Sequence, residues 1–548
     1  MAEHDTLGEI QDALESHSSF VVEAGAGSGK TRSLIQTIES VLEEHRSEFE
    51  RSNRRVVCIT YTNVAKDEIR SRLNDDPMVL VDTIHEFLWA VCSGFQRELK
   101  LEVIALNEQS KSPIEDLPAR LDDVNITYGR YGRHFDRGEL FHDDVIKVAR
   151  ALFEKYPKIC RIAADRFPYI FVDEYQDTAA EVVELLLEFF AANLRSPVVG
   201  FFGDAMQQIY DSKIADVAPQ YGLRLITKVE NYRCSVKVID VLNRLRSDLQ
   251  QEPAGENLPG DTHLFTVAGD AEGAYERAII RLEEHGWSRE NTKILMLTHR
   301  GIAREIGYSH LLAAYGKRSF GNDVLMERSD EFGEFFTFID ALLAAESAGR
   351  YGRFLEILGS TGFSLRSTSE KRRISAEVAS LRQLTLNGTV DDVAQFVKAS
   401  EYIPLPKRLS KLMARLDASQ NGQGEDEAFA KRKPFHDAVL AVPWSEVLTF
   451  IQYADEHTPF STKHGVKGAE FENVLVLIDD TLWNQYKFYG VFTGSDSISA
   501  RLERSKKLLY VCFSRAISGL AVVCLNPLAA GELAGALELL GLPEAQQI

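Results

Sequence analysis

Ala24-Gly25-Ala26-Gly27-Ser28-Gly29-Lys30-Thr31 follows the apolar run Phe20-Val21-Val22 and precedes a helix-like stretch from Arg32 to Leu42. That is the strand, glycine loop and helix order of a P-loop. Small residues let consecutive backbone N–H groups turn inward and cradle phosphates. Lys30 can reach the β and γ phosphates, and the Thr31 hydroxyl can ligate Mg²⁺. Ala24 stands where the pattern usually begins with Gly, a departure that still leaves little bulk near the phosphates.

Downstream, Tyr169-Ile170-Phe171-Val172 is a short β-prone run ending in Asp173-Glu174. In P-loop ATPases an acid at such a strand end holds Mg²⁺, which assigns Asp173 to the metal. Glu174 is then placed to orient and deprotonate the attacking water. Alone, two adjacent acids at a strand end read equally well as a solvated turn; the P-loop upstream favours the chemistry. The Gln176 amide is spaced to contact the γ-phosphate. A third strand-like run, Val198 to Phe202, ends in Gly203-Asp204 and the cluster Gln207-Gln208, at the sheet edge where ligands bind. Asn231-Tyr232-Arg233 sets an aromatic beside a guanidinium, suited to base stacking and phosphate contact.

Taken in order, these stretches resemble the UvrD/Rep-like superfamily 1A DNA helicases. Thr60-Tyr61-Thr62-Asn63-Val64-Ala65-Lys66 resembles T-F-T-N-x-A-A, Thr83-Ile84-His85-Glu86-Phe87 resembles T-x-H-x-F, and Phe141-His142-Asp143-Asp144 resembles F-x-D-[DL]. Asp173-Glu174-Tyr175-Gln176-Asp177 matches D-E-x-Q-D, Gly203-Asp204 with Gln207 matches GD-x-x-Q, and Asn231-Tyr232-Arg233 matches N-Y-R. Thr462 to Phe471 resembles T-x-H-x-x-K-G-x-E-F, and Leu508 to Ala516 resembles L-x-Y-V-A-x-T-R-A. The resemblance implies that Gln11 reads adenine, Gln207 senses the γ-phosphate, Tyr232 stacks on adenine and Arg233 contacts the γ-phosphate. It further implies that Glu470 contacts the ribose and that Arg515 is supplied from a second motor domain, where it can stabilise transition-state charge only in a closed cleft. DNA would be met by Thr60, Tyr61, Asn63, Thr83, His85, Phe87, Tyr210 and His464, with ATP and Mg²⁺ as cofactors. Several positions depart from the family, among them Lys506-Lys507 in place of the usual Arg pair, which weakens bidentate contacts there. Ser212 stands where an aromatic usually stacks between bases, a contact worth ~1–3 kcal/mol, and Lys213 replaces Arg.

The implied fold is α/β, with two RecA-like P-loop motor domains on parallel sheets, each interrupted by a mostly helical insertion. Residues 1–85 plus 140–235 are expected to form the first motor domain and 86–139 its small insertion. Residues 236–329 plus 441–548 are expected to form the second, with 330–440 as its helical insertion. The small insertion interleaves Arg130, Arg133, His134 and Arg137 with Tyr128, Tyr131 and Phe135, a mixture suited to nucleic acid or to a solvated loop. The larger one shows helical apolar spacing at Phe335, Phe338, Leu342 and Leu343 and concentrates the basic clusters Lys371-Arg372-Arg373, Lys407-Arg408 with Lys411, and Lys431-Arg432-Lys433.

The 548 residues are 45% hydrophobic and 26% charged, ordinary for a globular protein, and no apolar run approaches a membrane span. A net charge of −20 argues against non-specific coating of nucleic acid, though not against a local basic groove. Six scattered cysteines without a C-x-x-C pair read as reduced thiols in a cytoplasmic protein, and the N-terminus lacks the build of a signal peptide. The chain stops soon after Arg515, so no appended nuclease domain is expected. Compact family members of this kind include the helicase-like subunit of Gabija anti-phage systems, which implies an OLD-family nuclease as partner. The expected activity is ATP-dependent 3′→5′ translocation or unwinding on single-stranded DNA. The alternatives are a DNA-activated ATPase that senses DNA ends with little unwinding, and a DNA repair helicase.

Overall fold

Phe20–Ala24 (β1) runs into the glycine loop, and the helix Lys30–Ser52 leaves it. With Val56–Thr60 (β2), Val79–Thr83 (β3), Tyr169–Asp173 (β4), Val198–Gly203 (β5) and Arg224–Lys228 (β6), β1 builds a six-stranded sheet in the order β3-β2-β4-β5-β1-β6. All its strand pairs are parallel. Strands β1, β2 and β4 are buried along their whole length, as apolar parallel strands are when both faces are covered. Successive side chains alternate between those faces. Phe20 and Val22 pack with Leu34, Ile38 and Val41 of the helix, whereas Val21 packs with Val57, Ile170 and Val172 on the opposite face. Parallel register sets the carboxyl ends side by side: Glu23 pairs with Gly203, and Asp173 with Phe202.

Gly200, in the middle of β5, is demanded by its neighbours. A Cβ there would stand 2.6 Å from the Phe20 ring and 2.8 Å from that of Phe171. Those rings, with Phe202, form an interlocking aromatic cluster across β4, β5 and β1. Gly200→Ala is expected to destabilise the protein by about 1–3 kcal/mol through overpacking, read as a lower urea midpoint; an unchanged midpoint would mean the rings yield freely.

The structure, a computed structural model, describes the chain apart from residues 1–4, 111, 130–132, 192–196, 209–220, 270, 272, 297–298, 319–320, 360–367, 421–426, 456–459, 462–468 and 482–485. The expectations placed on Arg130, Tyr131, Tyr210, Ser212, Lys213 and His464 lie outside the described residues, as does the Asn63 side chain.

Two compact units emerge. The first comprises Met1–Thr262, Gly494–Gly519 and Glu538–Gly541; the second comprises His263–Thr493, Leu520–Leu537 and Leu542–Ile548. The first unit thus runs past residue 235, where the sequence reading ended the first motor domain, and takes in the segment that carries Arg515. The helix Val236–Leu245 packs on the helix Ser499–Phe513, which holds these segments together. In the small insertion, Leu99, Val103, Leu117 and Phe135 continue the core of one sheet face. A second six-stranded sheet takes Asp261–Thr266 (β7), Thr292–Met296 (β8), Phe460–Ser461 (β9), Phe471–Ile478 (β10), Ala516–Cys524 (β11) and Gln546–Gln547 (β12) in the order β9-β8-β10-β11-β7-β12. Here β8 runs parallel to β9 and β10, and β7 to β12. The described residues of 330–440 are helical, with no strand among them, and Phe335, Leu342 and Leu343 are buried as their spacing predicts. This is the α/β architecture of parallel-strand sheets with helical insertions that the motif order implies. Among the described residues no helix is long and apolar enough to cross a membrane.

Candidate active site

The loop after β1 is shaped by close approach. Gly27 and Gly29 adopt left-handed φ values of 72° and 78°. A Cβ on Gly27 would lie 2.6 Å from Asn231 Oδ1 and 2.7 Å from Arg233 Cβ. Asn231 is fully buried and fastens the two segments: its Nδ2 donates to the Ala26 carbonyl at 2.9 Å, and its Oδ1 accepts from the amides of Arg233 and Cys234. The Tyr232 amide donates to the Gly27 carbonyl at 2.9 Å. The Asn-Tyr-Arg motif therefore delivers Tyr232 and Arg233 to the P-loop through its asparagine, while the Tyr232 ring is left exposed.

Lys30 is 8% exposed at the start of its helix. Asp173 ends β4, buried, with Oδ1 lacking any hydrogen-bond partner. Burial, then the charge of Glu174, pushes the Asp173 carboxyl up to about 7, against the pull of Lys30. The Ser28 hydroxyl is also buried without a partner. An orphaned carboxylate oxygen, an orphaned hydroxyl and a loop that accepts no Cβ at Gly25 or Gly27 fit a phosphate chain with a hard cation, which Thr31 and Asp173 would hold.

Glu174 takes φ 48°, an uncommon backbone state for a non-glycine residue that costs of order 1–3 kcal/mol and points to function. Gln176 was expected at the γ-phosphate. Instead it is buried, donates to the Glu174 carboxylate and accepts from the Asp204 amide at 3.1 Å. Its observed work is to hold Glu174 to the end of β5. Gln207 donates to Asp204 at 2.9 Å and accepts from Arg515 Nη2 at 3.0 Å. Arg515 is 2% exposed, and its Nε donates to the Val511 carbonyl at 3.1 Å. Burial, then the nearby charge of Arg233, lowers the pKa of Arg515, with Glu174 opposing. Two neighbouring guanidinium groups, one of them fully desolvated, make a place that favours an arriving anion.

Motif reading missed a buried network beneath these groups. Arg246 pairs with Asp204 at 3.2 Å, binds Asp248 through two nitrogens at 3.0 and 2.8 Å, and donates to the Tyr510 hydroxyl at 2.8 Å. That hydroxyl accepts from the Ala26 amide at 3.2 Å, and Gln251 Nε2 donates to the Ala26 carbonyl at 2.8 Å. Glu23 accepts from Tyr175 and, at 2.7 Å, from the Ala205 amide. One signal was available: Glu23 is an acid inside an otherwise apolar strand. Arg246 and Gln251 carry none, because the partners that tie them to the loop, Asp204, Tyr510 and Ala26, are distant in sequence.

Burial, then the charge of Asp204, pushes the Glu23 carboxyl from 4.5 up to about 7. The folded chain therefore keeps a proton that the unfolded chain releases near 4.5, and stability falls as pH rises between about 4.5 and about 7. Glu23→Gln is expected to remove this slope, ~1 kcal/mol per pH unit at its steepest. Urea midpoints from pH 5 to 8 measure it, and parallel curves for the two proteins would sink the assignment.

The remaining expected residues separate. Gln11 accepts from Ser40 at 3.0 Å on the first unit, whereas Glu470 belongs to the second unit, just ahead of β10. Tyr61 is 54% exposed and open to a base. Thr60 is buried, and Thr83 caps a helix through a reciprocal box with Glu86. His85 is half-buried, its ring 4.8 Å from that of His142; burial, then His142, lowers its pKa, which favours the neutral imidazole. Phe87 corrects the expectation of a stacking ring: it is fully buried against Phe167 and Phe190. In the small insertion, Arg133 pairs with Asp144 while remaining exposed, and Phe135 is buried, so Phe135 is not offered to nucleic acid.

The chain is similar to several known proteins. An AAA domain model matches residues 9–213. The Gabija protein GajB of Bacillus cereus (strain HuB5-5) is 21% identical over 96% of this chain and 95% of its own length. The ATP-dependent DNA helicase PcrA of Staphylococcus epidermidis is 25% identical over 52% of this chain and 46% of that protein, and that of Staphylococcus aureus is 25% identical over 54% and 48%. The chain thus spans about half the length of the PcrA relatives and nearly all of the Gabija relative.

Proposed function

We infer that this chain is a UvrD/PcrA-like, ATP-hydrolysing helicase that moves 3′→5′ on single-stranded DNA in the cytoplasm, in anti-phage defence beside an OLD-family nuclease subunit. The observation that carries the catalytic part is the convergence of Lys30, Asp173, Glu174, Gln207, Arg233 and Arg515 on the P-loop within one compact unit. The defence part rests on the Gabija relative, matched along nearly its full length. The four-part division into motor domains and insertions remains part of this reading.

Lys30 and the loop amides would bind the phosphates, and Tyr232 the adenine. Glu174, fixed by Gln176, would orient water and take its proton. Arg233 and Arg515 would stabilise the charge that grows on the transferring phosphoryl group, and Gln207 would report its presence to Arg515. Mg²⁺, held by Thr31 and Asp173, would supply charge neutralisation at the phosphates. Tyr61 is the exposed aromatic that would meet DNA.

Phe87 in the core favours a second reading, a DNA-activated ATPase that senses ends with little unwinding, because one stacking platform is absent. Strand displacement on 3′-tailed and 5′-tailed duplexes, run beside DNA-stimulated ATPase, separates the two. Unwinding from 3′ tails supports the first reading; DNA-stimulated ATPase without unwinding supports the second; an ATPase indifferent to DNA overturns both. Affinity purification from the native host with identification of the co-purifying chain tests the nuclease partner.

A further inference from the structure

A cavity of about 380 Å³ opens on the second unit, lined from the helices Lys407–Gln420 and Glu427–Leu440. Arg408, Lys411 and Arg415 reach it from one helix and Arg432 from the other. The first three recur at spacings of three and four residues, which puts them on one helix face. All four are exposed, while Phe429 and His436 are buried in the lining. The Arg415 guanidinium stands 5.2 Å over the Phe429 ring.

Among the described residues the lining holds one acid, Glu331, already engaged by His436 at 3.6 Å and by Arg408 at 3.7 Å. The hydrogen bond from His436 is the main cause that holds Glu331 ionised, down to about 2. Among the described residues Lys411 and Arg432 have no ion-pair partner. His436 is 4% exposed, and its Nδ1 has no hydrogen-bond partner. Lys411 and Arg432 thus meet in one cavity as cations without an ion-pair partner among the described residues, in a chain of net charge −20, and their mutual repulsion is relieved when a counter-charge arrives. The basic clusters at 407–411 and 431–433, far apart in the sequence pattern, are thus brought to one cavity.

We propose that this cavity binds a phosphate-bearing anion. Guanidinium forks and a lysine suit phosphate oxygens. The phosphates can come from a free nucleotide or polyphosphate, or from the backbone of a nucleic-acid strand. Every residue involved belongs to the second unit, whereas the P-loop belongs to the first.

The test uses the full chain carrying Lys30→Ala, which silences the P-loop. Tripolyphosphate and a short single-stranded oligonucleotide are titrated calorimetrically, with and without Lys411→Glu plus Arg432→Glu. A matched reversal at exposed Lys371 and Arg372 is the control. The cavity reversal is expected to weaken binding of at least one ligand by ~10-fold or more, with the control reversal changing it under ~3-fold. Loss in the tripolyphosphate titration identifies free phosphates as a source; loss confined to the oligonucleotide identifies the strand. Equal loss from both reversals, or no loss with either ligand, overturns the proposal.

Discussion

ATP turnover is expected to fall by ~10²–10⁴-fold in Glu174→Gln while nucleotide binding stays near wild type. The substitution keeps shape and removes the base. It also removes the charge that, after burial, does most to raise the pKa of the Asp173 carboxyl, so Asp173 ionises more readily in the variant. Lys30→Ala is the contrast: it deletes a cation from the phosphate cradle and should weaken nucleotide binding as well as turnover. Single-turnover hydrolysis and equilibrium binding of a fluorescent nucleotide distinguish the pair. Near-normal turnover in Glu174→Gln would put the base elsewhere, and equal loss of binding in both variants would make Glu174 part of the cradle.

Arg515→Met should lower kcat by ~10³-fold or more, the low end for an arginine that meets transition-state charge. Stability is expected to change by less than ~1 kcal/mol, because an apolar side chain of similar length replaces a buried cation beside another cation. That split matters. A residue serving only to hold Gln207 would show the reverse, a lower unfolding midpoint with hydrolysis largely intact. DNA-stimulated ATPase at wild-type level in a folded Arg515→Met protein would make the arginine structural.

Local chemistry made part of this site readable. A P-loop announces itself because the loop must turn at consecutive small residues between a strand and a helix, and Gly27 and Gly29 do take the left-handed backbone that glycine permits. Asp173 and Glu174 were legible as acids at the end of an apolar strand, and parallel pairing put them beside the loop. Phe87 was misread because an aromatic in a motif has the same letters whether it packs inward or outward. The rings of Phe167 and Phe190, about 80 and 100 positions away, decide that it packs inward.

By itself the sequence determined the α/β class, the order of the motifs and the identity of the phosphate-binding loop, all properties of short contiguous stretches. Only the tertiary structure decided that Arg246 neutralises Asp204 and Asp248 while bonding Tyr510 beneath the loop, that Gln176 serves Glu174, and that two remote basic clusters share one cavity. The physical reason is common to all three. Buried charges and polar groups must be satisfied by whatever the fold brings within about 3 Å, and that partner is chosen by chain topology rather than by neighbouring residues.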